Sequence, residues 1–99
     1  MNNLLMMHAK DNVAVCLADG KAGEMLPLTA KDGSNAGSIK LLEDTPFAHK
    51  VALADIAPGE HITKYGELIG AAIKPIKVGQ WVHTHNIEGL RGRGDKNDN

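Results

Sequence analysis

Cysteine is nearly absent. Cys16 is the only one in 99 residues, so no disulfide can form within the chain. It stands in an apolar alternating run, where a buried and unreactive thiol is expected. Aromatic residues are as scarce, at Phe47, Tyr65 and Trp81, and the net charge is −1. With no basic stripe and few rings to stack on bases, the composition argues against nucleic acid as a partner. The one basic cluster, Arg91-Gly92-Arg93, is too short to change this. No apolar run approaches the ~20 residues of a membrane span. Leu4–Met7 is apolar, but no cationic segment precedes it, so no signal peptide is read and a soluble cytoplasmic protein is expected. GxSxG, a P-loop, GxGxxG, CxxC and a carboxylate pair placed for glycoside chemistry are all missing.

A chain of this length has room for one core and no second lobe. Enzymes acting on small polar metabolites usually need a cleft between two bodies. A single body points to a binding module or to one part of a larger catalyst.

Turn residues divide the chain into short β-rich runs. Strands are predicted at 3–8, 12–17, 25–28, 38–42, 49–55, 61–64, 68–73 and 81–85, with the polar stretch 31–37 as a surface loop or hairpin tip. Residues 68–73, LIGAAI, carry helix formers. However, Gly66, Gly70 and Pro75 oppose a helix, at ~1 kcal/mol for each Gly and ~3 for Pro. The expected fold is all-β with little or no helix. After Gly89 the only large apolar residue is Leu90. A domain over 1–88 followed by a mobile tail over 89–99 is therefore predicted.

Three segments echo one another: Ala18–Leu26, Ala54–Ile62 and Lys74–Val82. Each places Gly, then Glu or Gln, then one residue, then an apolar residue. Physically this is a turn needing positive φ at Gly that feeds a strand. The unequal intervals indicate a reused turn and not a solenoid.

The stretch from His49 to Ile87 holds four of the five histidines, with Trp81 and Tyr65. His83 and His85, two apart on a predicted strand, would share a face and could share a ligand or metal. No further ligand is obvious nearby, so a metal site would need another chain. Asn86 adds an amide. His49-Lys50 opens an alternating strand, where His49 is either a half-buried structural histidine or an acid, base or anion contact. Lys64-Tyr65 sets a cation and a phenol beside a turn; Lys64 suits a carboxylate or a phosphate, although a solvated turn lysine is the plainer reading. His8 and His61 give weaker signals, and Arg93-Gly94-Asp95 is read as a chance tripeptide.

Taken together, these strings look familiar: Asp11-Asn12-Val13-Ala14-Val15, His49-Lys50-Val51-Ala52-Leu53-Ala54-Asp55-Ile56, Gly59-Glu60, Lys64-Tyr65-Gly66, Ile69-Gly70, and Gly79 with His83-Thr84-His85-Asn86. In order and spacing, from about residue 3 to 93, they resemble the small domain of the altronate/galactarate dehydratase family. The resemblance implies an SAF domain, a β-clip built from bent hairpins. It implies a hydro-lyase reaction that removes water from a sugar acid to give a 2-keto-3-deoxy acid. Iron(II) or another divalent metal is implied, held mainly by a large catalytic subunit, with His83 and His85 as shared ligands. The chain's ending looks like the stand-alone small-subunit type, expected to be inactive alone; a homo-oligomer is compatible with it. Carried over by position, His49, His83 and His85 are the catalytic candidates, and Lys50, Lys64, Tyr65 and Asn86 the substrate contacts. A close branch, sulfolactate sulfo-lyase, eliminates sulfite instead. A non-catalytic sugar-acid binding or assembly module is the alternative from another class.

Overall fold

A computed structural model describes residues 2–89 of the chain. Among these residues there is no helix, and nine short strands form two sheets. They are β1 (Leu4–Met6), β2 (Val13–Cys16), β3 (Met25–Ala30), β4 (Asn35–Lys40), β5 (Lys50–Ala52), β6 (His61–Lys64), β7 (Glu67–Ala72), β8 (Trp81–Val82) and β9 (Ile87–Gly89). The larger sheet runs β4-β3-β1-β2-β5-β8 and the smaller β6-β7-β9. Only β1 and β3 pair in parallel. The all-β expectation holds, and LIGAAI lies in a strand as read. A Cβ at Gly70 would meet the Glu88 carbonyl, so glycine there lets β9 close on β7.

Two apolar clusters fill the interior. One gathers Leu4, Ala14, Cys16, Leu26, Leu28, Leu41 and Val51. The other gathers Val13, Ala52, Ile56, Ile62, Ala72, Ile76 and Val82. Val13 and Ala14 on β2, and Val51 and Ala52 on β5, divide between the clusters because successive strand residues face opposite sides. The central strands are thus buried on both faces. Cys16 is a buried free thiol.

The Gly-Glu turn occurs four times, over residues 17–25, 42–50, 53–61 and 73–81, each feeding a strand. The copies join in pairs through the bridges Gly20–Thr45 and Ile56–Ile76. Their cross-bonds match. Gly23, Ala48, Gly59 and Gly79 donate their amides to the carbonyls of Leu41, Cys16, Ala72 and Ala52, at 2.7–2.9 Å. Asp19 and Asp44 accept from the amides of Phe47 and Ala22 across the first pair, and Asp55 accepts from Val78 in the second. The remaining contact is lost on both sides at once: Pro58 has no amide to give, and Pro75 stands where the acceptor would be. The copy over 42–50 escapes the sequence pattern because Ala48 and His49 replace Gly and Glu.

Other boundaries move for local reasons. Strand β3 continues through Pro27 to Ala30, with a register shift just after the proline. The hairpin tip is shorter than 31–37. Asp32 accepts from the Ser34 amide and hydroxyl (2.9 and 2.6 Å), and β4 begins at Asn35. Strand β4 is almost wholly exposed and only Ile39 packs inward, so no apolar alternation marks its start. The strand predicted over 81–85 stops at Val82; residues 83–86 bend and turn, and β9 follows. Gly89 closes β9, one residue past the boundary drawn at 88. The rest of the expected tail, with Arg91-Gly92-Arg93 and Arg93-Gly94-Asp95, lies outside the described residues.

Candidate functional site

His49 is available because its turn departs from the other three. In those, the residue after glycine accepts from the backbone amide three positions earlier. Glu24 accepts from Lys21 at 2.7 Å, Glu60 from Ala57 at 2.6 Å and Gln80 from Lys77 at 2.8 Å. In the fourth turn the earlier residue is Pro46, which has no amide hydrogen. No carboxylate or amide is needed there, and the position carries an imidazole. Ala48, in the glycine position, keeps the left-handed conformation at φ 71°. That strain costs ~1 kcal/mol or more for a residue with a Cβ.

The freed ring meets Trp81, whose Nε1–H donates to His49 Nδ1 at 3.1 Å. Pairing of Val51 on β5 with Trp81 on β8 brings the two together. His83 lies parallel to the indole, with centroids 5.4 Å apart and planes 11° from parallel. His85 approaches the same indole at 5.3 Å, and the His49 and His83 rings are 4.9 Å apart. The three imidazoles singled out in the sequence do come together, but not in the way their spacing suggested. His83 and His85 do not share a strand face, since residues 83–86 turn. They share an indole, which composition alone did not mark as functional.

Asn86 makes that turn. It is fully buried; its Oδ1 accepts from the His83 amide at 2.9 Å and its Nδ2 donates to the Trp81 carbonyl at 2.8 Å. Its expected role as a substrate contact gives way here to bracing the loop, because both ends of the amide point inward. In the sequence, an Asn three residues after a turn's first His is the signal for such a brace.

Lys50 follows His49 and is half-buried. Desolvation, and secondarily the charge of Lys64, lower its pKa below the ordinary lysine value. Among the described residues neither lysine has a carboxylate within salt-bridge distance. Lys64 is carried by the β6–β7 hairpin, whose tip residues Tyr65 (φ 57°) and Gly66 (φ 77°) both need the left-handed region. Asp11 holds that tip. Its buried carboxylate accepts from the Tyr65 and Gly66 amides at 3.0 and 2.8 Å. Asn12 accepts from the Thr63 amide at 2.8 Å and donates to the His61 carbonyl at 2.9 Å. Asp11 and Asn12, just before β2, therefore clamp the β6–β7 hairpin to the larger sheet. Tyr65 is exposed, with Lys64 Nζ 5.2 Å from its ring centroid; among the described residues it makes no ring contact with the imidazoles. His8 and His61 also stand outside the cluster, His8 accepting from the Lys10 amide at 3.1 Å.

Desolvation first, then the positive charges of His49, Lys50 and His85, lower the pKa of His83 below the ordinary imidazole value of 6.5. The folded chain thus binds this proton less tightly than the unfolded one. The stability that His83 contributes is present above pH 6.5 and is lost as pH falls through its folded pKa. An NMR titration is expected to place the His83 midpoint below 6.5. Lys50→Met should move it upward, though not fully, because desolvation remains; a midpoint that ignores Lys50 would remove the electrostatic part of this account.

Among the described residues no three of His, Cys, Asp and Glu are grouped to hold a metal ion. These residues alone do not supply a metal centre. What they do supply is a nest of imidazoles with Lys50 close enough to act on His83 and Lys64 close enough to act on Lys50, an arrangement able to move a proton near an anionic ligand. No helix among them is long and apolar enough to cross a membrane.

The family model described as "Altronate/galactarate dehydratase SAF domain" matches residues 2–90. Altronate dehydratase of Escherichia coli (strain K12) is 40% identical over 82 residues, covering 83% of this chain and 15% of that protein. Altronate dehydratase of Bacillus subtilis (strain 168) is 35% identical over 88 residues, 89% of this chain and 16% of that protein. The chain therefore spans about one sixth of these dehydratases. The (2R)-sulfolactate sulfo-lyase subunit alpha of Chromohalobacter salexigens is 33% identical over 84 residues, and there the match covers 84% of this chain and 89% of the relative. With its sheets, its paired turns and the match over residues 2–90, the chain belongs to the altronate/galactarate dehydratase SAF domain family.

Proposed function

We propose that this chain is the small subunit of a cytoplasmic lyase and works with a separate large subunit to eliminate water from a sugar acid, giving a 2-keto-3-deoxy acid. The observation that carries the reading is the cluster of His49, His83 and His85 on one indole, with Lys50 acting on His83 and Lys64 on Lys50, neither lysine having a carboxylate partner among the described residues. A β-elimination from a hydroxy acid needs a base for the proton beside the carboxylate, cations for the charge that then develops, and an acid for the departing oxygen. His83, held toward its neutral form, is the base. Lys50 and Lys64 receive the carboxylate. A divalent metal such as iron(II) belongs mainly to the large subunit, as the described residues of this chain group too few ligands to hold one.

One observation favours a second reading. The match spans 89% of a sulfolactate sulfo-lyase alpha subunit but only 15% of an altronate dehydratase. A (2R)-sulfolactate-like substrate would present the same carboxylate and α-proton, with sulfite as the leaving group. The test is a product assay on the chain combined with its large partner, keto-deoxy acid against sulfite. The chain alone is expected to turn over neither substrate, and turnover by the purified 99 residues would end the two-subunit proposal.

A further inference from the structure

We infer that Trp81 is a positioning residue that fixes the tautomer of His49, so that His49 meets the substrate as a hydrogen donor through Nε2 while His83 is left to accept.

The inference starts from the indole. Its N–H can donate and has no lone pair to accept with, so whichever imidazole nitrogen it faces must be unprotonated. That nitrogen is Nδ1 of His49, at 3.1 Å. A neutral imidazole carries a single proton, which must therefore sit on Nε2. Among the described residues the His49 ring makes no other hydrogen bond, so nothing competes for the assignment. The indole is itself fixed. Its carbonyl accepts from Asn86, its amide donates to Glu43 at 3.4 Å, and its ring is stacked by His83. The backbone of His49 is fixed too, its amide bonded to the Pro46 carbonyl at 3.1 Å and its carbonyl accepting from Cys16 at 2.9 Å. Donor and acceptor are thus both held, and the bond between them sets the proton's position.

The chemical consequence is a division of labour. Two imidazoles 4.9 Å apart could each, when uncharged, donate or accept toward the substrate. One with its proton committed to Nε2 starts the cycle as donor. In the elimination proposed above, on which this assignment of roles rests, His83 takes the α-proton, the C–O bond breaks, and His49 Nε2–H hydrogen-bonds the departing oxygen while keeping its proton. The oxygen leaves as water with the proton that His83 took, which returns His83 to its neutral form.

The experiment uses the full chain, 15N-labelled at histidine. Long-range 1H–15N spectra are expected to show His49 with Nε2 protonated and Nδ1 bare. Trp81→Phe keeps a ring against His83 and His85 but removes the N–H, and His49 should then become a mixture of tautomers. In the reconstituted enzyme the same variant should lower kcat on the order of tenfold with KM unchanged, as expected when a hydrogen-bond donor to the departing oxygen is misdirected and binding is spared. An Nδ1-protonated His49 in the wild-type chain would overturn the inference, as would a tautomer unchanged by Trp81→Phe. If the tautomer is lost but kcat is kept, the positioning role falls. Failure of the proposed function shows differently, as a wild-type complex that eliminates from neither acid while the spectra still report the tautomer.

Discussion

Replacing His83 by Ala in the reconstituted complex is expected to lower kcat by about 10²–10⁴-fold with assembly intact. His83 is the imidazole on which the site converges. It stacks on Trp81, lies 4.9 Å from His49 and feels the charges of His49, Lys50 and His85. Those charges and its desolvation act in one direction, holding its pKa below the ordinary imidazole value and so favouring the unprotonated ring. A base in that state is competent without losing a proton first. His85 is exposed and, among the described residues, its one ring contact is with the indole, so His85→Ala should cost less. The ranking matters more than either value. The rival reading, a sugar-acid binding or assembly module, predicts that both variants leave kcat unchanged. Measuring kcat and complex formation together decides between them, because a binding module can lose affinity but has no chemical step to lose.

How this site was hidden in the sequence has a physical basis. Short β-rich runs between turn residues were enough to indicate an all-β chain, and the histidines were plain to see. Their arrangement was not, since it depends on a tertiary event: β5 and β8 pair and bring residue 49 beside residue 81. The HxH spacing suggested a strand face, yet Asn86 spends its amide on bending residues 83–86. Nothing local shows that Asn86 would be buried and not exposed. The fourth turn was illegible for a different reason. Its marker residues, Gly and Glu, were replaced together with the donor they serve, so only the structure shows that Pro46, Ala48 and His49 occupy the same places as Lys21, Gly23 and Glu24. Strand β4 lacked an apolar pattern because it lies at the sheet edge with one inward residue. In each case the missing information was a partner distant in sequence.

The paired turns give the second large expectation, which concerns stability. Gly59 and Gly79 hold the same place in the second pair, at φ 88° and 90°. Alanine at either must be held in the left-handed region, which costs about 1–2 kcal/mol. Their surroundings differ. A Cβ at Gly59 meets nothing within 4 Å, whereas one at Gly79 runs into the Lys40 carbonyl oxygen. That oxygen belongs to the main chain and cannot swing aside. The neighbouring segment is also tied down, because the Leu42 amide donates to the Gly79 carbonyl at 2.9 Å. Gly79→Ala must therefore separate the two pairs of turns where they touch. Its cost should reach about 4 kcal/mol or more, against about 1–2 for Gly59→Ala. A chain of this size has only about 5–15 kcal/mol in total, so Gly79→Ala should leave much of it unfolded. Urea denaturation of the two variants measures the difference, and equal costs would mean that the close approach at Gly79 is not rigid. Gly79 also lies two residues before Trp81, in the turn that delivers the indole to His49. A variant rescued by a small shift of this turn should therefore keep its fold and still lose the His49–Trp81 bond.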